Sequence, residues 1–168
     1  VILPLISAPI CSLLYGKRFA WAFSALVTFA AFACSVLLIQ QVYISGDISY
    51  VMGGWIAPFG IEYRIDMLSA MFLVLISGIG SFSIIYALPS VEREIEESKQ
   101  PLFYTAYLFC LAGLLGIVAT NDIFNIYVFL EISSLATYSL IAMGKDRRAL
   151  IASFEYLILG TIGATFIL

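Results

Sequence analysis

The stretch NIYVFLEISSLATYSLIAMG, residues 125–144, decides the architecture of this chain. It consists almost entirely of apolar and small residues, and a helix needs roughly 20 such residues to cross the hydrocarbon core of a bilayer. A single carboxylate, that of Glu131, interrupts the run. The stretch therefore predicts a membrane-spanning helix that carries one acidic side chain near its middle.

The composition of the whole chain supports a membrane environment. Of the 168 residues, 62% are hydrophobic and 11% are charged, and the mean hydropathy is +1.06. Soluble domains carry about 25% charged residues and about 45–50% apolar ones. A soluble domain with this composition would lack polar residues to cover its surface, so the bilayer is the predicted solvent.

Six apolar runs are predicted to form helices, because backbone polar groups in lipid must be satisfied within the chain. The runs do not alternate as the strands of a membrane barrel do. They cover residues 1–15, 19–43, 67–86, 102–120, 123–143 and 150–168. The predicted fold is all-α, a polytopic transmembrane bundle that forms one domain over residues 1–168. Since the first and last runs are cut short, we expect the chain to be a fragment of a longer protein.

The basic residues are concentrated in alternate loops. The loops at residues 16–18, 87–101 and 144–149 hold every Lys and Arg of the chain except Arg64. The positive-inside rule places such loops in the cytoplasm. The sequence therefore predicts a multi-pass protein of the plasma (inner) membrane whose first helix starts outside.

The loop at residues 44–66 is predicted to be extracytoplasmic, and it is rich in glycine and aromatic residues. GDISYVMGGW (46–55) and PFGIEYRID (58–66) predict two short extended segments around a Gly/Pro turn, which would form a short β-hairpin. A plain connection without strands is the alternative.

Two acidic residues, Glu131 and Glu155, lie inside predicted spans. An ionised carboxylate at the membrane centre costs about 2.5–3.5 kcal/mol on insertion scales, so it usually faces a bundle interior, a partner charge or water. Glu131 lies about 18 Å from the cytoplasmic end of its helix, and Glu155 lies about 8 Å from that end. This difference in depth excludes a direct hydrogen bond between them, although water or a third group would allow a relay.

Tyr127, Ser134 and Tyr138 share the helical face of Glu131, at i−4, i+3 and i+7. Such a polar stripe can hydrogen-bond the acid, hold water and face other helices. A carboxylate at depth has its pKa raised by desolvation and lowered by a nearby cation, so a moving charge makes it take up or release a proton. We therefore predict that Glu131 is a buried proton-handling residue and that Glu155 belongs to the proton path.

Each of these assignments has a simpler alternative. Glu131 would be a structural acid tied to a neighbouring helix, and Glu155 would extend to the cytoplasmic interface. Other chemistry has little support, because the chain has no histidine and its cysteines (Cys11, Cys34 and Cys110) are scattered in apolar runs. We expect no metal, no cofactor and no nucleic-acid partner. The sequence does not support a serine hydrolase, since Ser133 and Ser134 have no base partner other than the glutamate.

Three stretches resemble a known family: GGWIAPFGIEYRIDMLSA (53–70), TNDIFNIYVFLEISSLATYSLIAMG (120–144) and ALIASFEYLILGTIGATFIL (149–168). They are similar to the proton-translocating antiporter-like subunits. This family includes the large membrane-arm subunits of respiratory complex I and the D-type subunit of the multisubunit Mrp-type sodium/proton antiporters. The resemblance covers nearly the whole chain, and it is most specific over residues 121–168, where it is nearest to the D-type branch.

The resemblance implies a subunit of about fourteen transmembrane helices with two inverted repeats, of which this chain covers the N-terminal part. In the family, a glutamate on the fifth helix handles protons, and VFLEISSL (128–135) gives that role to Glu131. Many members carry a Lys-Tyr pair on the sixth helix, but FEYLILG (154–160) has Glu155 in place of the lysine, so no lysine role carries over. The partner lysine of the seventh helix would lie beyond Leu168.

The function implied by the resemblance is that of a proton-conducting membrane subunit in a multisubunit monovalent cation/proton antiporter. Protons and Na+ would be the ions, and other membrane subunits and the lipid bilayer would be the partners. One alternative is an antiporter-like proton-pumping subunit of a complex I-type NADH:quinone oxidoreductase or of a related membrane hydrogenase. Another is a membrane scaffold that transports nothing. In each case the chain itself is predicted to be a non-catalytic subunit.

Overall fold

The fold is described from a computed structural model, which covers residues 1–14, 16–54 and 60–167. The described residues form six α-helices and one pair of short strands. The helices are α1 (Ile2–Ser12), α2 (Lys17–Ser45), α3 (Met67–Glu94), α4 (Gln100–Ala119), α5 (Ile123–Ala142) and α6 (Arg147–Ile167). The strands are β1 (Ile48–Val51) and β2 (Glu62–Ile65). Met52–Gly54 and Glu97–Lys99 form short 3-10 turns.

Among the described residues, five helices are long and apolar enough to cross a membrane, namely α2 to α6. The shortest of the five, α4 and α5, have 20 residues each, which is about 30 Å at the helical rise. The predicted all-α, polytopic membrane fold is confirmed, and the chain is a multi-pass membrane protein. The first predicted run differs in length, because α1 has 11 residues and stops before Gly16, whose φ of 115° is not helical.

Helix α3 continues past the apolar run that predicts it. It includes Pro89 and ends at Glu94, so it occupies part of the loop predicted at 87–101. The added residues include Glu and Arg, which are good helix formers in water, so a helix need not stop where its apolar residues stop. The residue that follows the helix, Ile95, has an extended backbone.

Carboxylate caps begin the third and fifth helices. The Asp66 Oδ1 atom accepts a hydrogen bond from the Ser69 backbone N–H at 2.7 Å, and Asp122 Oδ1 accepts one from the Asn125 backbone N–H at 2.7 Å. Each cap satisfies a backbone donor that has no partner inside its own helix. These local bonds define where α3 and α5 enter the apolar layer.

Helix α4 lies at the centre of the bundle, in contact with α1, α2, α3 and α5. Half of its most apolar stretch is buried, whereas only 11% of the corresponding stretch of α6 is buried. Helix α6 packs mainly against α5, at one edge of the bundle. The best-covered part of the molecule is therefore formed by α1 to α4, and α5 and α6 extend from it.

The strands form an antiparallel pair in which Ile48 lies opposite Ile65 and Val51 lies opposite Glu62. This hairpin contacts the turn between α4 and α5, because the Asn121 backbone N–H donates to the Glu62 carbonyl at 2.9 Å. The predicted Gly/Pro turn between the strands includes residues 55–59, which lie outside the described residues.

The three basic loops lie at one end of the bundle, opposite the hairpin. Lys145 Nζ donates to the Arg93 carbonyl at 3.0 Å, so the loops after α3 and α5 meet. Trp21, near the start of α2, donates its indole N–H to the Ile84 carbonyl toward the end of α3 at 2.8 Å. The positive charges that predict the orientation are thus gathered at a single end.

Candidate functional site around Glu131

The packing of α5 on α4 determines which way Glu131 points. A Cβ added at Gly113 would lie 2.7 Å from the Phe129 carbonyl oxygen and 2.7 Å from the Ser133 nitrogen. A Cβ added at Gly116 would overlap the Phe129 ring. Small residues of this kind let membrane helices approach closely. The two glycines therefore hold the Phe129–Ser133 face of α5 against α4.

Glu131 lies on the opposite face of α5. Phe129 and Ser133 are buried, and a residue midway between them in sequence is turned by about 180° from their common direction. Glu131 is accordingly only half-buried, and Glu155 is exposed. The predicted burial of Glu131 is therefore not observed in the structure. The reason is that α6 covers this face of α5 at Tyr138, which is 7% exposed, but covers it less completely at Glu131.

No charge partner reaches Glu131 from the described part of the chain. Among residues 1–14, 16–54 and 60–167, no side chain makes a hydrogen bond or ion pair with it. The basic residues lie at the ends of the helices or in the hairpin. The carboxylate is therefore presented on an open face without a fixed cation.

The predicted polar stripe runs from this open face into the contact between α5 and α6. Tyr127 and Ser134 are half-buried, whereas Tyr138 is 7% exposed. Tyr138 packs edge-on against Tyr156 of α6, with ring centroids 5.2 Å apart and an interplanar angle of 77°. Its carbonyl accepts a hydrogen bond from Ser153 Oγ at 2.8 Å. The stripe thus has an open end at Tyr127 and a covered end at Tyr138.

Glu155 lies on the far side of α6. The α6 residues that face α5 include Ser153 and Gly160, which both contact Tyr138. Two residues along a helix correspond to a rotation of about 200°, so Glu155 points away from Ser153 and from α5. The fold brings Tyr127, Ser134 and Tyr138 to the face of Glu131, and it does not bring Glu155 there.

A polar network that the sequence did not reveal anchors the start of α5. Glu62 of β2 accepts hydrogen bonds from Ser49 Oγ at 2.5 Å and from Asn121 Nδ2 at 3.2 Å. These two bonds, with a smaller contribution from the Arg64 charge, hold the pKa of Glu62 below its ordinary value. On the α5 side, Asn125 Nδ2 donates to Thr120 Oγ1 at 2.9 Å.

The sequence indicates only one side of this network, the polar residues at the start of α5. TNDIFN (120–125) places polar side chains directly before an apolar run, which is typical of a helix N-terminus. It does not reveal that the hairpin supplies Glu62, since that contact joins residues far apart in the chain. Among the described residues, no group of three or more His, Cys, Asp or Glu side chains is placed to hold a metal ion.

Comparison with known proteins relates the chain to two kinds of membrane complex. Residues 120–168 match the family model described as "NADH:quinone oxidoreductase/Mrp antiporter, TM". The chain is 40% identical over 171 residues to the N-type subunit of the NADH-quinone oxidoreductase of Desulforudis audaxviator, with 100% of this chain and 34% of that protein covered. It is 30% identical over 169 residues to the D-type subunit of the Na+/H+ antiporter of Bacillus subtilis, with 98% and 33% covered.

Two solved structures share the fold. A chain of the membrane-bound sulfane sulfur reductase, an archaeal respiratory membrane complex, matches with a TM-score of 0.90 and 32% identity, over 99% of this chain and 34% of that one. A chain of the Mrp complex from Dietzia sp. DQ12-45-1b matches with a TM-score of 0.87 over 98% and 31%, and its 22% identity supports the fold alone.

These matches share one pattern. Each covers nearly all of this chain but only about a third of the relative. The predicted resemblance is therefore confirmed, and it includes both the N-type and the D-type subunits. The chain belongs to the family of antiporter-like membrane subunits found in NADH:quinone oxidoreductases and Mrp antiporters, and it spans about a third of the length of such a subunit.

Proposed function

We propose that this chain forms a proton-handling part of an antiporter-like membrane subunit and that Glu131 is its proton site. The observation that carries the proposal is the position of this carboxylate. It is the single acidic residue of α5, it lies mid-helix on the open face, and it falls within the matched residues 120–168. A carboxylate in lipid that has no function is unexpected, because its cost must be offset.

The packing of α5 supports the same role. Gly113 and Gly116 hold the opposite face of α5 against α4, which leaves the Glu131 face available to water or to a further helix. The low dielectric of the membrane disfavours the charged carboxylate, and an approaching cation favours it. We propose that such a cation comes from the lysine that the resemblance implies on a seventh helix beyond Leu168. Movement of this lysine, or a change in its charge, would then cause Glu131 to take up or release a proton.

The first candidate for the whole complex is a multisubunit monovalent cation/proton antiporter in which Na+ exchanges with protons. The observation in its favour is the identity of 33% over 130 residues to the D-type subunit of the Na+/H+ antiporter of Alkalihalophilus pseudofirmus, with 77% of this chain and 26% of that protein covered. The other membrane subunits of that complex would be the partners of this chain.

The second candidate is a proton-pumping subunit in a complex I-type NADH:quinone oxidoreductase or a related respiratory membrane complex. The observation in its favour is the 40% identity to an N-type subunit over the whole chain. In that case electron transfer in partner subunits would drive the proton movement, and Na+ would not be required.

We further propose that the basic loops at 16–18, 87–101 and 144–149 face the cytoplasm, in the plasma (inner) membrane. Their clustering at one end of the bundle fits the positive-inside rule. Glu131 would then lie about 18 Å from the cytoplasmic end of its helix. Protons would enter or leave through water that reaches this depth.

The experiment that tests the proposal is proton flux in vesicles that contain the full subunit in its native complex, with Glu131→Gln compared with wild type. We expect the flux to fall by about a hundredfold, because a directly transferring acid commonly contributes that much. Assembly, checked on a native gel, should be unchanged. Glu155→Gln, measured alongside, tests whether the exposed carboxylate of the next helix belongs to the proton path.

Two further measurements separate the alternatives. Flux that depends on a Na+ gradient supports the antiporter, whereas flux that depends on an electron donor supports the respiratory complex. If Glu131→Gln leaves flux and assembly intact, Glu131 is not the proton site. A third outcome is that Glu131→Gln abolishes assembly. If the conservative variant Glu131→Asp then restores assembly and its proton flux does not depend on pH, Glu131 has a structural role.

A further inference from the structure

We propose that Gly160 of α6 is a positioning residue that holds the Tyr138 hydroxyl on the Glu131 face of α5. The inference rests on the proposed function of Glu131 as the proton site, and it adds a residue on α6 to the proposed proton path. Tyr138, Ser153, Tyr156 and Gly160 together are called the tyrosine seat below.

The seat exists because residue 160 has no side chain. A Cβ added at Gly160 would overlap the Tyr138 hydroxyl oxygen, and it would lie 3.0 Å from the ring atom Cζ and 3.5 Å from Cε1. Gly160 is in the interior of a helix, so the need for glycine here is one of space. Glycine inside a helix is less stabilising than alanine, so a glycine that met no packing requirement at this contact would only destabilise α6.

The other members of the seat keep Tyr138 from moving aside. Ser153 Oγ donates to the Tyr138 carbonyl at 2.8 Å, which fixes the backbone of α5 against α6. The Tyr156 ring packs edge-on against the Tyr138 ring at 5.2 Å. A tyrosine ring is rigid, so a side chain at position 160 would displace the hydroxyl or separate the helices.

The direction of the Tyr138 side chain follows from the register of the two helices. Ser153 contacts the Tyr138 carbonyl, and Gly160 lies seven residues further along α6, about 10 Å at the helical rise. Since α6 runs antiparallel to α5, this direction leads toward Glu131, which lies seven residues before Tyr138. Long side chains in helices also lean toward the N-terminus, which is the same direction here. The hydroxyl therefore points along α5 toward the carboxylate.

The hydroxyl is available for proton transfer. Within residues 1–14, 16–54 and 60–167 it makes no hydrogen bond, and a phenol can both donate and accept. Water between the Tyr138 hydroxyl and the Glu131 carboxylate would let the hydroxyl receive one proton while it passes another, so that no net charge forms on the phenol. The other titratable groups that face α5 nearby are Tyr156 on α6 and Cys110 on α4, whose sulfur lies 3.4 Å from the Thr137 hydroxyl.

The test uses the full subunit in its native complex, in vesicles, with proton flux measured across a range of pH. The variants are Gly160→Ala, Tyr138→Phe and the double variant. Gly163→Ala is the matched control, because it makes the same change three residues later where a Cβ would meet nothing within 4 Å. We expect Gly160→Ala and Tyr138→Phe each to lower flux by about tenfold and to shift its pH midpoint, less than the effect of a direct proton donor.

The double variant measures the coupling between Gly160 and Tyr138. If Gly160 acts through the hydroxyl, the double variant loses no more than either single variant, because interacting residues are not additive. Gly163→Ala should match wild type. Additive losses in the double variant, or a Tyr138→Phe variant with wild-type flux and pH midpoint, would overturn the inference. The Tyr138→Phe variant adds no volume, so it decides the question even if Gly160→Ala does not assemble.

The Glu131→Gln and Tyr138→Phe variants together distinguish a wrong role for the tyrosine seat from a wrong role for Glu131. If Glu131→Gln abolishes flux and Tyr138→Phe does not alter it, Glu131 remains the proton site and the tyrosine seat has no part in transfer. If Glu131→Gln leaves flux intact, the proposed function and this inference both fail.

Discussion

Two glycines of α4 let α5 pack closely: Gly113 leaves room for the backbone of Phe129 and Ser133, and Gly116 leaves room for the Phe129 ring. Their importance lies in geometry, since the same contact turns Glu131 to the open side. In a bilayer, helices associate through such close packing because lipid is as apolar as the side chains it would replace. Single residues without reactive groups therefore decide where the one mid-helix carboxylate of α5 points.

This leads to a prediction for Gly113. The substitution Gly113→Ala places a Cβ 2.7 Å from backbone atoms of Phe129 and Ser133, which cannot move without shifting α5. We expect a loss of stability of about 1–3 kcal/mol, as for other overpacked sites. The measurement is the thermal unfolding midpoint of the full subunit in detergent. Gly163→Ala serves as control, and an equal midpoint for the two variants would contradict the prediction.

At the scale of elements, the hairpin holds the start of α5 from outside the apolar layer. The Glu62 carboxylate bonds Ser49 in its own hairpin and Asn121 in the α4–α5 turn, so one side chain joins two elements. The backbone adds the Asn121–Glu62 bond and a bridge between Tyr63 and Thr120. The depth of Glu131 is therefore set partly by a loop.

Acidification should weaken this link. The pKa of Glu62 is lowered in the folded chain, mainly by the bonds from Ser49 and Asn121, from its ordinary value of 4.5. A carboxyl group with a lowered folded pKa stabilises the fold above its unfolded pKa, and this stabilisation is lost as pH falls through the folded value. We expect Glu62→Gln to lower the thermal midpoint at about pH 7 and to have little effect at a pH well below the ordinary pKa of the group.

The measurement compares Glu62→Gln with wild type at each pH, so that other acids cancel. Asp66, whose pKa is lowered chiefly by its bonds with Ser69, titrates in both proteins alike. A difference between the two proteins that stays constant from neutral to acid pH would show that the carboxylate charge of Glu62 is not what anchors the turn.

At the scale of the whole molecule, the positions of the basic residues and the contacts between loops both define two distinct ends of the bundle. The basic loops meet through Lys145 and Arg93, and the hairpin and the α4–α5 turn meet at the other end. Helices of 20 to 29 residues, about 30–44 Å long, separate them. A bundle of this kind has a definite orientation in the membrane, which thiol labelling can measure.

We expect a membrane-impermeant maleimide to label Ser49→Cys in intact cells. It should label Lys145→Cys only after the cells are opened, because the basic loops are proposed to be cytoplasmic. Each substitution is made in the full subunit, with wild type as control for Cys11, Cys34 and Cys110. The opposite labelling pattern would reverse the proposed orientation.

The sequence by itself determined the solvent, the helical class and the approximate spans. These properties depend on the length and apolar character of each run, which are local. The match of VFLEISSL to a family motif also required no structure, and Glu131 stands out as a mid-span charge in any analysis of hydropathy.

Only the tertiary structure decided which face of each helix packs against its neighbours. In a soluble protein an apolar stripe marks the buried face, but here both lipid and neighbouring helices are apolar, so periodicity does not distinguish them. The sequence therefore predicts a buried Glu131, whereas Glu131 lies on a face of α5 that α6 covers only in part, and Glu155 lies on the outer side of α6. The contact of Tyr138 with Gly160 likewise joins two helices, and close packing between residues distant in sequence is what decided it.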